Sequence, residues 1–137
     1  MIAVIDANIA VALMLDLRYS EQARKAVADA DSIIAPDLIV YEVTNTLWKI
    51  ARTTARPLSE FQDIVERFPL MFDELVQGRQ LASAAFINAI TLKHPAYDCF
   101  YVALATARNA ILMTADGRLI RAIADSGMDI EVRPIQA

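Results

Sequence analysis

The run Ile2-Ala3-Val4-Ile5-Asp6 near the N-terminus and the later run Ala110-Ile111-Leu112-Met113-Thr114-Ala115-Asp116 share one design, a short apolar stretch that ends on an aspartate. An uninterrupted β-rich run bounded by a turn-forming residue suits a strand buried on both faces, as strands of parallel sheets are. Between and after these runs the apolar spacing turns helical. Ser20 to Ala30 is Ala-rich with charges at Glu21, Arg24, Lys25 and Asp29, which predicts an amphipathic helix with Ser20 as its N-cap. Ser32 to Ala35 predicts a second strand, ended by Pro36, and Asp37 is placed to cap a helix from Leu38 to about Arg52. Another helix is expected from Ser59, where Ser59-Glu60-Phe61-Gln62 has the order of a capping box, to near Pro69. Phe72 to Val76 reads as a third strand, and Gly78 to His94 as a helix that Pro95 stops. Tyr97 to Asn109 is a strongly apolar helix, Gly117 to Ala124 a further helix, and Ile130 to Val132 a last edge strand. Strands that alternate with helices predict an α/β fold with a parallel sheet. In such sheets ligands gather at the carboxyl ends of the strands.

Composition narrows the function classes. At 137 residues the chain has the length of one domain. Its 56% apolar content with only 3 Gly and 5 Pro excludes a disordered or collagen-like chain. The 17 acidic residues outnumber the 13 basic ones, and a net charge of −4 is the wrong sign for a broad basic face that grips nucleic acid. One Cys and one His rule out a disulfide framework and a Cys-based zinc site, so a metal here would have to be held by oxygen. Met1 to Leu17 is apolar but lacks a basic start and is broken by Asp6 and Asp16. No stretch reaches the ~18 uncharged apolar residues of a membrane span, so the expected compartment is the cytoplasm.

Four carboxylates stand apart from the solvated charge of the helix faces. Asp6 and Asp116 follow buried strands, where turn or N-cap duty is the plain alternative to a site. Asp98 is the only charge of its helix before Arg108, in the first turn, where the helix dipole favours an anion. A carboxylate buried there also needs a partner, and the neighbouring sequence offers no cation. Glu42 lies one turn into the Leu38–Arg52 helix and points to the same sheet edge, while Lys49 and Arg52 on that helix read as a solvated stripe. Four converging carboxylates would repel one another and raise their pKa values. A divalent cation removes that penalty, and carboxylate and water oxygens suit Mg²⁺ or Mn²⁺. Such an ion polarises a phosphoryl oxygen and activates water for in-line attack on a phosphodiester.

In this order, Asp6-Ala7-Asn8, then Tyr41-Glu42-Val43-Thr44-Asn45-Thr46-Leu47, then Tyr97-Asp98-Cys99-Phe100-Tyr101-Val102-Ala103-Leu104-Ala105, then Met113-Thr114-Ala115-Asp116-Gly117-Arg118-Leu119, the chain resembles the PIN-domain nucleases. Within them it is similar to the VapC-type toxins of prokaryotic toxin–antitoxin pairs, from Ile2 to about Val132. The resemblance implies a single PIN-like domain over residues 1–137, with a parallel sheet of about five strands flanked by α-helices. It implies that Asp6, Glu42, Asp98 and Asp116 are catalytic and hold one or two Mg²⁺ or Mn²⁺ ions, with Asn8 and Thr114 in support. It further implies an endoribonuclease that hydrolyses RNA by metal-activated water to a 5′-phosphate and a 3′-hydroxyl. The implied partners are a cognate antitoxin protein and a second copy in a homodimer. Asp116 occupies the position least uniform in the family.

Rival readings fit less well. A receiver domain would want paired acids after the first strand and a lysine after the last functional strand, and Asp116-Gly117-Arg118 supplies none. A dehalogenase-like phosphatase would want a second Asp where Asn8 stands. A non-catalytic interaction module would tolerate neutral substitution of its carboxylates. A thiol mechanism is disfavoured because His94 and Cys99 are five apart with Pro95 between; Cys99 reads as core, and His94 as a helix C-terminal residue. Without the four site acids, 13 acidic residues face 13 basic ones, so the charge deficit resides in the expected metal site.

Overall fold

A computed structural model describes residues 1–136. Strands β1 (Ile2–Ile5), β2 (Ser32–Pro36), β3 (Glu74–Val76), β4 (Ile111–Thr114) and β5 (Val132–Pro134) form one sheet in the order β3-β2-β1-β4-β5. Every pairing in it is parallel. The helices are α1 (Ala7–Met14), α2 (Ser20–Val27), α3 (Leu38–Ala51), α4 (Leu58–Arg67), α5 (Gly78–Leu92), α6 (Ala96–Arg108) and α7 (Gly117–Ser126), with a 3₁₀ turn at Phe68–Met71.

The central strands are apolar at consecutive positions because both their faces are covered. Ala3, Val4 and Ile5 of β1 are fully buried, as are Leu112, Met113 and Thr114 of β4, and Ile111 is nearly so. The chain runs from β1 out to β2 and β3, then returns to the other side of β1 for β4 and β5. The direction therefore reverses between β1 and β4, and a crevice opens there at the carboxyl ends of the strands. Asp6 leaves β1 and Asp116 follows β4 at this edge. Helix α6 contacts β1, β2 and β4, burying Cys99, Tyr101, Val102, Leu104 and Ala105, and α5 packs along it.

Several local expectations change. Helix α1 has no counterpart in the sequence reading; Ala7, Ile9, Ala10, Val11 and Ala12 are all buried, so no polar stripe betrays its period. Ser20 lies inside α2, after the N-cap Tyr19, and is buried. Its hydroxyl accepts from Leu17 N and donates to Leu15 O, both at 2.8 Å, pinning the connection between α1 and α2. Asp37 makes no capping bond to α3. Its Oδ1 accepts from Gly78 N at 2.9 Å, tying the end of β2 to the start of α5. A Cβ at Gly78 would come within 3.3 Å of that oxygen, which is why glycine suits the position. Helix α4 begins at Leu58 after Pro57, without a side-chain cap, and ends at Arg67 before the 3₁₀ turn. Strand β5 lies two residues later than expected, since Val132 pairs with Leu112. Among the described residues no helix is long and apolar enough to cross a membrane.

Candidate metal centre

The first turn after β1 fixes Asp6 by both carboxylate oxygens. Oδ1 accepts from Ile9 N at 3.0 Å, which makes Asp6 the N-cap of α1. Oδ2 accepts from the hydroxyl of Thr114, the last residue of β4. That hydroxyl in turn accepts from Asp116 N at 3.0 Å, so buried Thr114 links the two strand ends. Asp116 caps α7, its Oδ1 accepting from Arg118 N at 2.9 Å and Leu119 N at 3.3 Å. Both aspartates thus perform the capping duty weighed against a site, and both also line one cavity.

That cavity, of about 200 Å³, is lined by Asp6, Asn8, Glu42, Asp98, Asp116 and Tyr101. The structure therefore brings all four singled-out carboxylates together at the β1–β4 crevice. Asn8 lines the same cavity, and Thr114 lies beneath it, bonded to Asp6. Asn45 and Lys49 also line it, so the stripe read as solvated on α3 contributes to the rim.

Two side chains that the sequence reading did not place at the site hold the acids in place. Tyr101 donates its hydroxyl to Glu42 Oε1 at 2.5 Å, joining α6 to α3. His94, beyond the end of α5, has its Nε2 2.6 Å from Asp98 Oδ2, and its side chain is only 7% exposed. The expectation that the neighbouring sequence holds no partner for Asp98 is therefore corrected, because the His94 ring, four residues upstream, is hydrogen-bonded to it. Pro95 separates the two in sequence, but it is the N-cap of α6 and leaves the ring free to reach the first turn. The i, i+4 spacing was the available signal for His94. For Tyr101 it was a hydroxyl on an otherwise apolar helix, three residues after Asp98. Cys99 is fully buried, and burial, then Asp98, pushes its thiol up to about 11, which leaves it protonated and inert.

Electrostatics mark the cluster as strained without a counter-ion. Burial pushes Asp6 up to about 6, the charges of Asp98 and Glu42 adding to it against the hydrogen bonds from Thr114 and Ile9. Glu42 is raised as well, first by burial and then by Asp98, against the Tyr101 hydrogen bond. Ligand atoms of His94, Asp98 and Asp116 all lie within 4.8 Å of one another. Among the described residues Asp98 Oδ1, Glu42 Oε2 and Asp116 Oδ2 accept no hydrogen bond from the protein. A desolvated set of mutually repelling carboxylates with such oxygens fits a hard divalent cation, and one imidazole stands beside it.

The sequence matches the family described as the PIN domain over residues 3–125. Ribonuclease VapC3 of Pyrobaculum aerophilum is 36% identical over 118 residues, covering 85% of this chain and 90% of that protein. Among solved structures, a toxin–antitoxin complex from Klebsiella pneumoniae is similar with a TM-score of 0.72 and 17% identity, over 98% of this chain and 99% of the other. VapBC2 from Rickettsia felis, bound to a DNA fragment from their promoter, gives a TM-score of 0.65 and 14% identity, over 99% and 100%. At those identities the two structures bear on the fold.

Proposed function

The chain belongs to the PIN-domain family, and we propose that it is a Mg²⁺- or Mn²⁺-dependent endoribonuclease, the toxin of a type II toxin–antitoxin pair. The observation that carries this reading is the meeting of Asp6, Glu42, Asp98 and Asp116 around one small cavity at the β1–β4 crevice. The 36% identity to a VapC ribonuclease supports the substrate class, and the toxin–antitoxin complexes of the same fold support an antitoxin partner. The cytoplasm as compartment and a homodimer as working form complete the proposal.

Asp6, Glu42, Asp98 and Asp116 would hold a divalent ion, which when bound would supply Lewis-acid stabilisation of phosphoryl charge and a lowered water pKa. The chain's own residues position that chemistry. Thr114 fixes Asp6 and the Asp116 backbone, Tyr101 fixes Glu42, and His94 fixes Asp98. The carboxylates of Asp6, Glu42 and Asp98 are thereby each held by a side chain from outside their own helix, and that of Asp116 by the first turn of α7, so their rotamers are set before substrate arrives. Asn8 at the rim offers an amide to a phosphate oxygen or a ribose hydroxyl.

Purified protein is expected to cleave single-stranded RNA with Mg²⁺ or Mn²⁺, leaving a 5′-phosphate and a 3′-hydroxyl. EDTA and Asp98→Asn should each abolish the cleavage. Full activity in Asp98→Asn would overturn the mechanism.

A further inference from the structure

A second and larger cavity, about 530 Å³, opens beside the acidic one along one side of α7 and the end of α5. Lys93, Arg118 and Arg121 line it, with Asp125 as the one carboxylate and His94 on the side of the metal centre. It is thus a basic groove in an acidic protein. Its place is fixed by chain connectivity: Arg118 follows Asp116 by two residues, and Lys93 precedes His94, the partner of Asp98. His94 lines the groove while Asp98 lines the acidic cavity, so a single hydrogen bond stands between the two.

Placement singles these cations out from the rest of the surface charge. Among the described residues none of the three forms an ion pair, as holds for most of the chain's cations, so their charge is free to meet a ligand. Arg121 folds back toward the turn that follows Asp116, its Nη1 only 3.5 Å from where a Cβ on Gly117 would stand. Lys93 sits at the left-handed C-cap of α5 with φ of 52°, a conformation for which glycine is the usual choice. A lysine there gives up backbone ease and adds a charge to the groove.

We propose that this groove binds the phosphodiester backbone of the RNA strand next to the cleaved linkage, so that Arg118, Arg121 and Lys93 seat the substrate. The inference rests on the ribonuclease reading and adds the path of the strand. A polyanion cannot approach four carboxylates without repulsion, and a metal at the centre answers only the phosphate it contacts. The neighbouring phosphate is always present in a polymer and needs cations of its own. Unpaired cations a few residues from the centre supply them, while Lys49 on α3 marks another part of the rim. The groove contacts backbone, so it confers affinity and direction rather than base choice.

The test uses the full chain and a fluorescein-labelled single-stranded RNA. Binding is followed by anisotropy in EDTA over a range of salt, and cleavage is followed with Mn²⁺. Arg118→Ala and Arg121→Ala should each raise Kd several-fold and flatten the dependence of log Kd on log salt by about 0.7. In cleavage KM should rise more than kcat falls. Arg121→Lys should retain the wild-type salt slope because it keeps the charge. Mn²⁺ affinity by calorimetry and the melting temperature should match wild type, since both arginines are exposed. Wild-type protein that cleaves RNA while the alanine variants keep its salt slope and KM would overturn the groove and leave the ribonuclease reading standing. Loss of Mn²⁺ affinity in the arginine variants would also overturn it, by moving the arginines into the metal centre. Wild-type protein that does not cleave RNA under any metal would fail the reading itself.

Discussion

Asp6 carries two conflicting demands, and its chemistry exposes them. It is ringed by protein, caps α1 and accepts from Thr114, yet Asp98 and Glu42 share its cavity. In the metal-free protein its pKa of about 6 lies above its ordinary 3.8. The folded chain therefore binds this proton more tightly than the unfolded one. The resulting stabilisation is fully present below about pH 4 and is lost as pH rises through 6, by up to about 3 kcal/mol. Asp6→Asn removes the charge and keeps an oxygen for Ile9 N. In EDTA the variant should be more stable than wild type at pH 7, with the difference shrinking toward pH 4. Denaturant melts at both pH values measure it; equal stability at pH 7 would refute the strain. Glu42 shifts in the same direction, and because its charge repels that of Asp6 the substitution relieves it too, which adds to the difference at pH 7. The four acids were legible because a charge beside an apolar run is conspicuous in a sequence. His94 and Tyr101 were not, because a histidine before a proline reads as a helix end and a tyrosine in an apolar helix reads as core. Their roles depend on which side chain lies opposite, and that is a tertiary fact.

Helix ends carry much of the construction. Asp6 and Asp116 each begin a helix just after a buried strand, so the backbone that turns from sheet to helix also presents a carboxylate to the crevice. Capping and metal binding can be separated at Asp116, since Asn caps about as well as Asp but brings no charge. Asp116→Ala should cost about 1 kcal/mol through the lost bonds to Arg118 N and Leu119 N, and should also weaken Mn²⁺ binding. Asp116→Asn should keep wild-type stability within about 0.5 kcal/mol while Mn²⁺ affinity falls. Calorimetric titration set beside thermal melts separates the two effects; an Asn variant with wild-type affinity would leave Asp116 as a cap alone. The strands β1 and β4 were legible because burial on both faces needs a plain apolar run. Helix α1 was hidden for a related reason, since a helix buried nearly all round shows no polar period. Ser20 and Asp37 were misassigned because Ser and Asp are preferred at caps, whereas here each is drawn to a backbone group outside its own helix start.

Net charge is a sum over the surface, and the substrate responds to its distribution. The deficit of −4 equals the number of acids gathered at the centre, and Lys93, Arg118 and Arg121 border that cluster on the α7 side. The sum was legible in the composition. The separation into an acidic cavity and a basic groove was not, because it depends on how α5 and α7 meet. The apolar content has a comparable hidden distribution. The core takes most of it, but α5 leaves Phe86, Ile87 and Ile90 exposed at 61%, 58% and 66%, and Tyr97 follows at 67% across the turn into α6. Phe86 and Ile90 are one helical turn apart and share a face. An apolar face of that kind is costly to leave in water and is relieved when a second copy covers it. The homodimer proposed above is assigned to this face. Light scattering at micromolar concentration should give twice the chain mass, and Phe86→Lys with Ile90→Glu should return it to the single-chain mass without lowering the melting temperature of the monomer, since neither side chain is in the core. A single-chain mass for the wild type would refute the dimer and leave the α5 face to another partner.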